Sequence, residues 1–322
     1  MEVFFYEAFK EEERELRKFL PENIKSGFTW KTIQESGHSV PPAKLISTRT
    51  QSNFPVEWNN ELTGILSRST GYEHLLEYRK ITQSCIQLGY LPLYCHRAVA
   101  EHAMMLWMSL LRKLNQQQIN FNTFHRDEIT GYECENKILL IVGVGNIGGQ
   151  LIKIGKGLGM KIICVDIDKK YADENYLSIE EGLSNADIVV CSMNLTEKNR
   201  NYFNYDLLKK AKRNLIFINI SRGELSPSSD LLRLIEENHL GGVGLDVFNY
   251  EKELVSVLRE NKTSHNPEVL ATLELIKKPN VIFTPHNAFN SYEAIERKAS
   301  QSIEQVVNFL NTGKFKWSVT DF

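Results

Sequence analysis

The stretch ILLIVGVGNIGGQ, residues 138–150, decides the fold. Five apolar residues, from Ile138 to Val142, have the composition of a buried strand and lead straight into Gly143, Gly145 and Gly148 in a G-x-G-x-x-G spacing. A second apolar run, 161–165, ends in Asp166. Strand, glycine turn, helix, strand and acid in that order make a dinucleotide-binding βαβ unit. Gly143 permits the tight turn, Gly145 lets a pyrophosphate approach the backbone, and Gly148 lets the helix pack close to the sheet. A helix starting near Asn146 points its free N–H groups at the phosphates. The Asp166 carboxylate can accept from both ribose hydroxyls and would repel a 2′-phosphate, so NAD is expected. Lys169 and Lys170 keep NADP as the lesser alternative.

Outward from this unit, the runs 186–191, 214–219, 242–247 and 280–283 are short and apolar, as buried parallel strands are. Helical segments such as 228–238 separate them. Six strands alternating with helices predict a doubly wound parallel sheet, a Rossmann domain. The unit begins almost halfway along 322 residues, so a sizeable segment folds before it. Strands are expected near 45–47 and 63–67. From Arg97 a helical pattern is apolar on nearly all sides, which predicts burial between domains or subunits. A polar stretch, 116–135, leads into the cofactor sheet. The last helix opens with a capping box at 290–293. Its apolar face is Ile295, Ala299, Ile303, Val306, Val307 and Leu310. It is expected to return to the first region. The predicted organisation is therefore α/β: a Rossmann cofactor domain, 98–288, inserted into a smaller flavodoxin-like α/β substrate domain made of 1–97 and 289–322. Ligands belong in a crevice at the strand ends.

Composition excludes several classes. With 42% hydrophobic and 24% charged residues and a net charge of −2, the chain is ordinary globular protein with no nucleic-acid footprint. No apolar run reaches membrane-spanning length, and the N-terminus does not read as a signal peptide. Cysteines 85, 95, 134, 164 and 191 are odd in number and scattered. They predict reduced thiols in a cytoplasmic protein, with no disulfide frame and no metal site.

Three polar residues follow late strands of the cofactor sheet: Arg222 after 218–221, Glu251 after 246–250, and His286 after 283–285. Each alone reads as a surface charge or a structural hydrogen bonder. Together, at βα corners of one nucleotide-binding sheet, they have the chemistry of hydride transfer to a carbonyl. A guanidinium holds a carboxylate and polarises the carbonyl. An imidazole gives a proton to the forming alkoxide. A carboxylate beside the imidazole orients it.

At these residues the chain resembles the D-isomer-specific 2-hydroxyacid dehydrogenase family, from about Ala43 to Leu310. The resemblance rests on 68–72 (RSTGY), 98–102 (AVAEH), 143–148 (GVGNIG), 219–223 (NISRG), 244–248 (GLDVF) and 284–286 (TPH). It implies that Arg222 binds substrate, His286 is the acid-base group and Glu251 pairs with it. It further implies that Asn146 and Ile147 touch the pyrophosphate and that Met193, Asn194 and Asn199 line the cofactor. Ile220, Ser221, Arg222 and Asp246 would lie at the nicotinamide end, and Thr70 and Gly71 would offer N–H groups to the substrate carboxylate.

Within the family the chain is most similar to D-lactate dehydrogenases. Tyr94 lies in 91–94 (LPLY), Asn199 stands where many members have threonine, and Phe289 in 286–289 (HNAF) can wall a methyl pocket. Core packing is the alternative role for Tyr94 and Phe289. Asn194 replaces a usual proline, which loosens the cofactor loop. Gln51 stands about where that subgroup has tyrosine, with Arg49 nearby; if either faced the pocket, a larger or more acidic 2-keto acid would fit better.

The resemblance thus implies reduction of a small 2-keto acid, pyruvate to D-lactate first, by a homodimer with no nucleic-acid or membrane partner. Reduction of glyoxylate, hydroxypyruvate or a branched 2-keto acid is the second reading. A non-enzymatic NAD(H)-sensing protein is the third.

Overall fold

Two compact units emerge from a computed structural model that describes residues 1–320. One comprises Met1–Cys95 and the segment from Asn290 onward; the other is His96–Phe289. In the first, Val3–Phe5 (β1), Ser26–Phe28 (β2), Leu45–Thr48 (β3), Gly64–Ser67 (β4) and Gln87–Gly89 (β5) form a parallel sheet in the order β2-β1-β3-β4-β5. This is the flavodoxin-like order, with its reversal between β1 and β3. Strands β1, β2 and β5 have three residues each, too few to show a period in sequence.

The Lys10–Phe19 and Tyr292–Thr312 helices pack on each other in this unit. The final helix corrects two details of the sequence reading. Its N-cap is Ser291, whose hydroxyl accepts from the Ala294 N–H at 3.2 Å, so the expected box at 290–293 is replaced by a single cap. Its buried stripe runs through Ala294, Lys298, Ser302, Gln305 and Phe309 as well as Ala299, Ile303 and Val306. Ile295, Val307 and Leu310 are only half-buried. The turn offset moves the stripe by one position toward polar residues: Lys298 meets Glu12, Ser302 donates to the Lys298 carbonyl, and Gln305 Oε1 accepts from Trp317 N–H.

The second unit contains Ile138–Val142 (β6), Lys161–Val165 (β7), Ile188–Cys191 (β8), Leu215–Asn219 (β9), Leu240–Leu245 (β10) and Val281–Phe283 (β11). All six are parallel, in the order β11-β10-β9-β8-β6-β7. Every residue of β8 and β9 is buried, as expected for strands covered on both faces. Phe203, Phe217, Leu225, Leu231 and Leu234 pack the core beside them, each with no exposed surface. Full burial of such a side chain contributes roughly 1.5–3 kcal/mol. The order reverses between β6 and β8, which places the glycine turn at the topological switch.

The His96–Leu111 helix packs on the Asn146–Gly157 helix and on β9, β10 and β11. It is not apolar all round: Arg97, Glu101 and Met105 form an exposed side. A further helix, Leu114–Phe121, occupies the start of the polar stretch at 116–135.

Candidate active site

At the end of β6, Gly143 has φ 92°, a left-handed value open to glycine. A Cβ there would stand 2.4 Å from the Met193 backbone, so the loop after β8 can close on the turn only because Gly143 has no side chain. Above Gly145 there is open space, with no atom within 4 Å of where a Cβ would lie. The Asn146–Gly157 helix starts there without a side-chain cap. An uncapped helix N-terminus over an open glycine is a cradle that a pyrophosphate fits.

Asp166, at the end of β7, is joined to this cradle. One carboxylate oxygen accepts from the Val144 N–H and the other accepts from Asp168 N–H at 3.0 Å. Asp166 therefore holds the glycine turn in shape. Lys170 Nζ donates to Asn146 Oδ1 at 3.2 Å. Ile147 is half-buried in the first turn of the helix, and Gly148 lies against the Gly143 carbonyl.

The loop after β8 is tied more closely than Asn194 led one to expect. Asn199 Nδ2 donates to the Asn194 carbonyl at 2.8 Å, and its Oδ1 accepts from Thr196 N–H at 2.7 Å. The Ser221 hydroxyl donates to the Met193 carbonyl, joining this loop to the end of β9.

Asn219, fully buried at the end of β9, builds the corner that carries Arg222. Its Nδ2 donates to the Arg222 carbonyl at 2.9 Å and to Ser226 Oγ at 2.8 Å, while its Oδ1 accepts from Ser221 N–H at 3.0 Å. Ile220 is buried beneath this corner. The half-buried Arg222 donates through one Nη to the Ser221 carbonyl at 2.8 Å. Gly223 then passes so close to the next corner that a Cβ would lie 1.9 Å from the Phe248 carbonyl carbon.

Beyond β10, the Glu251–Glu260 helix begins at Glu251, after Tyr250 in a left-handed conformation. Beyond β11, His286 also has a positive φ, 51°. His286 Nδ1 lies 3.0 Å from both Glu251 oxygens. A carboxylate without a proton can only accept, so Nδ1 carries the hydrogen and Nε2 is the ring nitrogen left to exchange a proton. The pair is partly open, with side-chain exposures of 43% and 38%. Phe289 follows, half-buried.

Asp246 is only 1% exposed, and its carboxylate is turned to the backbone of the His286 loop. It accepts from Asn287 N–H, Ala288 N–H and the Thr284 hydroxyl. Thr284 in turn lies 2.8 Å from His102 Nε2. Sequence reading placed Asp246 at the nicotinamide end and gave Asn219, Thr284 and His102 no role. All three stand inside motifs quoted above, but a single polar residue at a strand end (Asn219, Thr284) or on a helix (His102) carries no periodic signal.

In the first unit, Thr70 and Gly71 lie just beyond β4. The Thr70 hydroxyl donates to the Leu91 carbonyl at 3.2 Å and lies 3.5 Å from Cys95 Sγ. Tyr94 is buried, and desolvation pushes its hydroxyl pKa well above the usual value. Gln51 is exposed, its N–H donating to Glu7, and the Arg49 guanidinium lies 5.4 Å over the Phe9 ring.

Near the reversal between β1 and β3 sits a buried charge cluster. Glu12 Oε1 accepts from Arg68 Nε at 2.9 Å and from Lys298 Nζ at 2.8 Å, and Arg68 also donates to Ser47 Oγ and the Tyr6 carbonyl. Lys298 Nζ is 5.8 Å over the Tyr94 ring. Burial would raise the Glu12 carboxyl, but Lys298, Arg68 and Arg49 outweigh it and bring it to about 2. Lys298 is brought down to about 8 by burial, aided by Arg49 and Arg68 against the pull of Glu12. The asymmetry follows from the count of charges: the carboxylate faces three cations, the ammonium one carboxylate and two cations.

Comparison with known proteins agrees with this architecture. Residues 104–288 match the family profile described as D-isomer specific 2-hydroxyacid dehydrogenase, NAD binding domain. The chain is 30% identical over 270 residues to a D-lactate dehydrogenase of Streptococcus agalactiae serotype V, covering 81% of this chain and 80% of the relative. Two solved structures superpose over nearly its whole length. The structure of D-2-hydroxyisocaproate dehydrogenase does so with TM-score 0.87 at 22% identity, covering 100% of each chain. A D-lactate dehydrogenase from Aquifex aeolicus, complexed with NAD and lactic acid, does so with TM-score 0.83 at 25% identity, covering 99% of this chain and 100% of the other.

Proposed function

The chain belongs to the D-isomer-specific 2-hydroxyacid dehydrogenase family and is an NAD-dependent oxidoreductase, and from that premise we propose that it reduces a small 2-keto acid, pyruvate before others, to the D-2-hydroxy acid. The observation that carries the reading is the His286–Glu251 pair at 3.0 Å on the same sheet edge as Arg222. Bound NADH supplies the hydride that reaches carbon 2. Arg222 holds the substrate carboxylate and draws charge toward the carbonyl oxygen, an interaction that strengthens as the alkoxide forms. His286 delivers the Nε2 proton to that oxygen. Glu251 fixes the ring through Nδ1–H and stabilises the cationic form before transfer. Phe289 walls the methyl group of the substrate.

For the cofactor, our reading gives Gly143, Gly145, Asn146, Ile147 and Gly148 the pyrophosphate and Asp166 the adenosine ribose. Met193, Asn194, Asn199, Ile220 and Ser221 form the surrounding wall, and Asp246 supports it from beneath through the 284–288 turn. The D-lactate dehydrogenase relative supports pyruvate; the name of the hydroxyisocaproate enzyme keeps a branched 2-keto acid as the second reading. We place the enzyme in the cytoplasm as a homodimer. The exposed apolar side chains Met105, Leu114, Ile119 and Phe121 on neighbouring helices suit burial against a second copy, which light scattering of the purified protein tests.

The functional test is NADH oxidation over pyruvate, glyoxylate, hydroxypyruvate, phenylpyruvate and 2-ketoisocaproate. Pyruvate should give the highest kcat/KM, and His286→Gln should lower turnover roughly a hundredfold or more while NADH still binds. Zero activity across the panel would favour an NAD(H)-sensing protein, and near-normal turnover in the variant would remove His286 from the chemistry.

A further inference from the structure

The turn that carries His286 is strained and held from one side. His286 has φ 51°, a region that an L residue adopts at an energetic cost. Its N–H donates to the Thr284 carbonyl at 2.9 Å, closing a tight turn over Pro285. The restraint comes from Asp246, the residue after β10. Its Oδ1 accepts from Asn287 N–H at 2.8 Å and from the Thr284 hydroxyl at 2.5 Å, and its Oδ2 accepts from Ala288 N–H at 2.8 Å. One buried carboxylate thus brackets His286, two residues before it and one and two residues after.

The hydrogen-bonded chain has one further member, His102. The Thr284 hydroxyl has one proton, and the carboxylate of Asp246 can only accept it. The Oγ1 lone pair is then left for His102, whose Nε2 lies 2.8 Å away, so Nε2 is the protonated nitrogen and donates. Burial lowers the His102 pKa, with Asp246 opposing, which favours the neutral ring; the hydrogen-bond geometry selects the tautomer. His102 stands on the His96–Leu111 helix, which packs on β9, β10 and β11 and supplies a rigid base. Its side chain is 15% exposed, and Nε2 stands 3.5 Å from Asp246 Oδ1, farther than from the Thr284 hydroxyl that bridges the two.

We propose that His102, acting through the Thr284 hydroxyl and the Asp246 carboxylate, is a positioning residue that locks the 284–288 turn and so aims the His286 ring at Glu251. The inference rests on His286 being the proton donor. Loss of the His102 donor leaves the Thr284 hydroxyl free to rotate away from Asp246, and the turn then samples conformations in which the His286–Glu251 contact is lost.

The experiment compares His102→Leu, Thr284→Val, Thr284→Ser and the His102→Leu/Thr284→Val double variant of the full chain. The two disrupting single variants should each lower kcat about tenfold, the rate equivalent of one hydrogen bond, with KM for NADH within about twofold of wild type. Thr284→Ser keeps the hydroxyl and should keep the rate. The double variant should lose no more than the worse single one, because both break the same chain. A second readout needs no turnover: the His286 ring resonances of the NAD-free protein, assigned with His286→Gln, should shift in His102→Leu and stay in place in Thr284→Ser. Unchanged kcat and unchanged His286 resonances in both disrupting variants overturn the proposal, as does a fully additive double variant. If wild-type protein reduces no 2-keto acid, the proposed function fails by itself, and the resonance shift still decides whether His102 positions His286. Should His102→Leu fail to fold, the near-isosteric Thr284→Val carries both readouts alone.

Discussion

One added methyl group at Gly223 tests the geometry of the proposed reacting groups without removing any of them. Gly223 follows Arg222, and its missing Cβ would lie 1.9 Å from the Phe248 carbonyl carbon and 2.2 Å from both the Phe248 oxygen and the Asn249 nitrogen. Ordinary contact for a Cβ starts at 3.4 Å, so Gly223→Ala forces the two corners apart by roughly 1.5 Å, an overpacking strain worth about 1–3 kcal/mol of stability. The obstacle is backbone, so no rotamer change relieves it. One corner carries Arg222; the other leads within two residues to Glu251, the partner of His286. A displacement on the order of 1 Å between positioned groups costs about a hundredfold in rate. The assay is steady-state reduction of pyruvate by NADH, with NADH affinity measured separately by fluorescence. The expected result is a folded variant with kcat/KM down about a hundredfold and a much smaller change in NADH affinity. A folded Gly223→Ala enzyme with wild-type kcat/KM would refute the argument that this close approach sets the spacing of Arg222 and Glu251.

Asp166→Ala should weaken NADH by at least about tenfold and NADPH by less, because the loss of charge-assisted ribose bonds falls on NADH alone. The lost Val144 contact falls on both cofactors, so equal weakening would leave Asp166 only its role in holding the glycine turn. In the buried cluster, Glu12→Gln leaves Arg68 and Lys298 without their shared carboxylate and should cost about 3–5 kcal/mol. Lys298→Met removes the cation and should be near neutral; denaturant unfolding followed by fluorescence checks both, since Trp30, Trp58 and Trp317 lie in that unit. The acid dependence has a definite sign. Glu12 falls from 4.5 to about 2 on folding, so its stabilisation is complete above 4.5 and is lost as pH drops toward 2. The loss amounts to about 3 kcal/mol, and Glu12→Gln should flatten that part of the stability–pH curve. At the alkaline end the depressed Lys298 works the other way: its penalty is present below about 8 and fades as pH rises toward 10.5. Lys298→Met should remove that rise.

The legible part of this chain was the part written in local pattern. The run at 138–142, the three glycines and Asp166 are contiguous or nearly so, and each is demanded by backbone geometry or by a phosphate's approach. The parallel strands of the second unit announce themselves as apolar runs, most plainly β8 and β9, which are covered on both faces. The three-residue strands β1, β2 and β5 did not, since a period cannot be read from so short a piece. Arg222, Glu251 and His286 could be picked out as polar residues after late strands, yet their separations in sequence say nothing of distance.

The tertiary structure decided that His286 Nδ1 meets both oxygens of Glu251, that Gly223 abuts Phe248, and that Asp246 serves the 284–288 turn. It alone revealed Lys298 and Glu12 as a buried pair, 286 residues apart in a helix stripe that sequence assigned to apolar neighbours. The physical reason is one of range. Strand burial, glycine turns and helix starts are settled by residues within a few positions of each other. Hydrogen bonds between strand ends, and the charges that share one buried carboxylate, exist only once distant segments have been brought within about 3 Å.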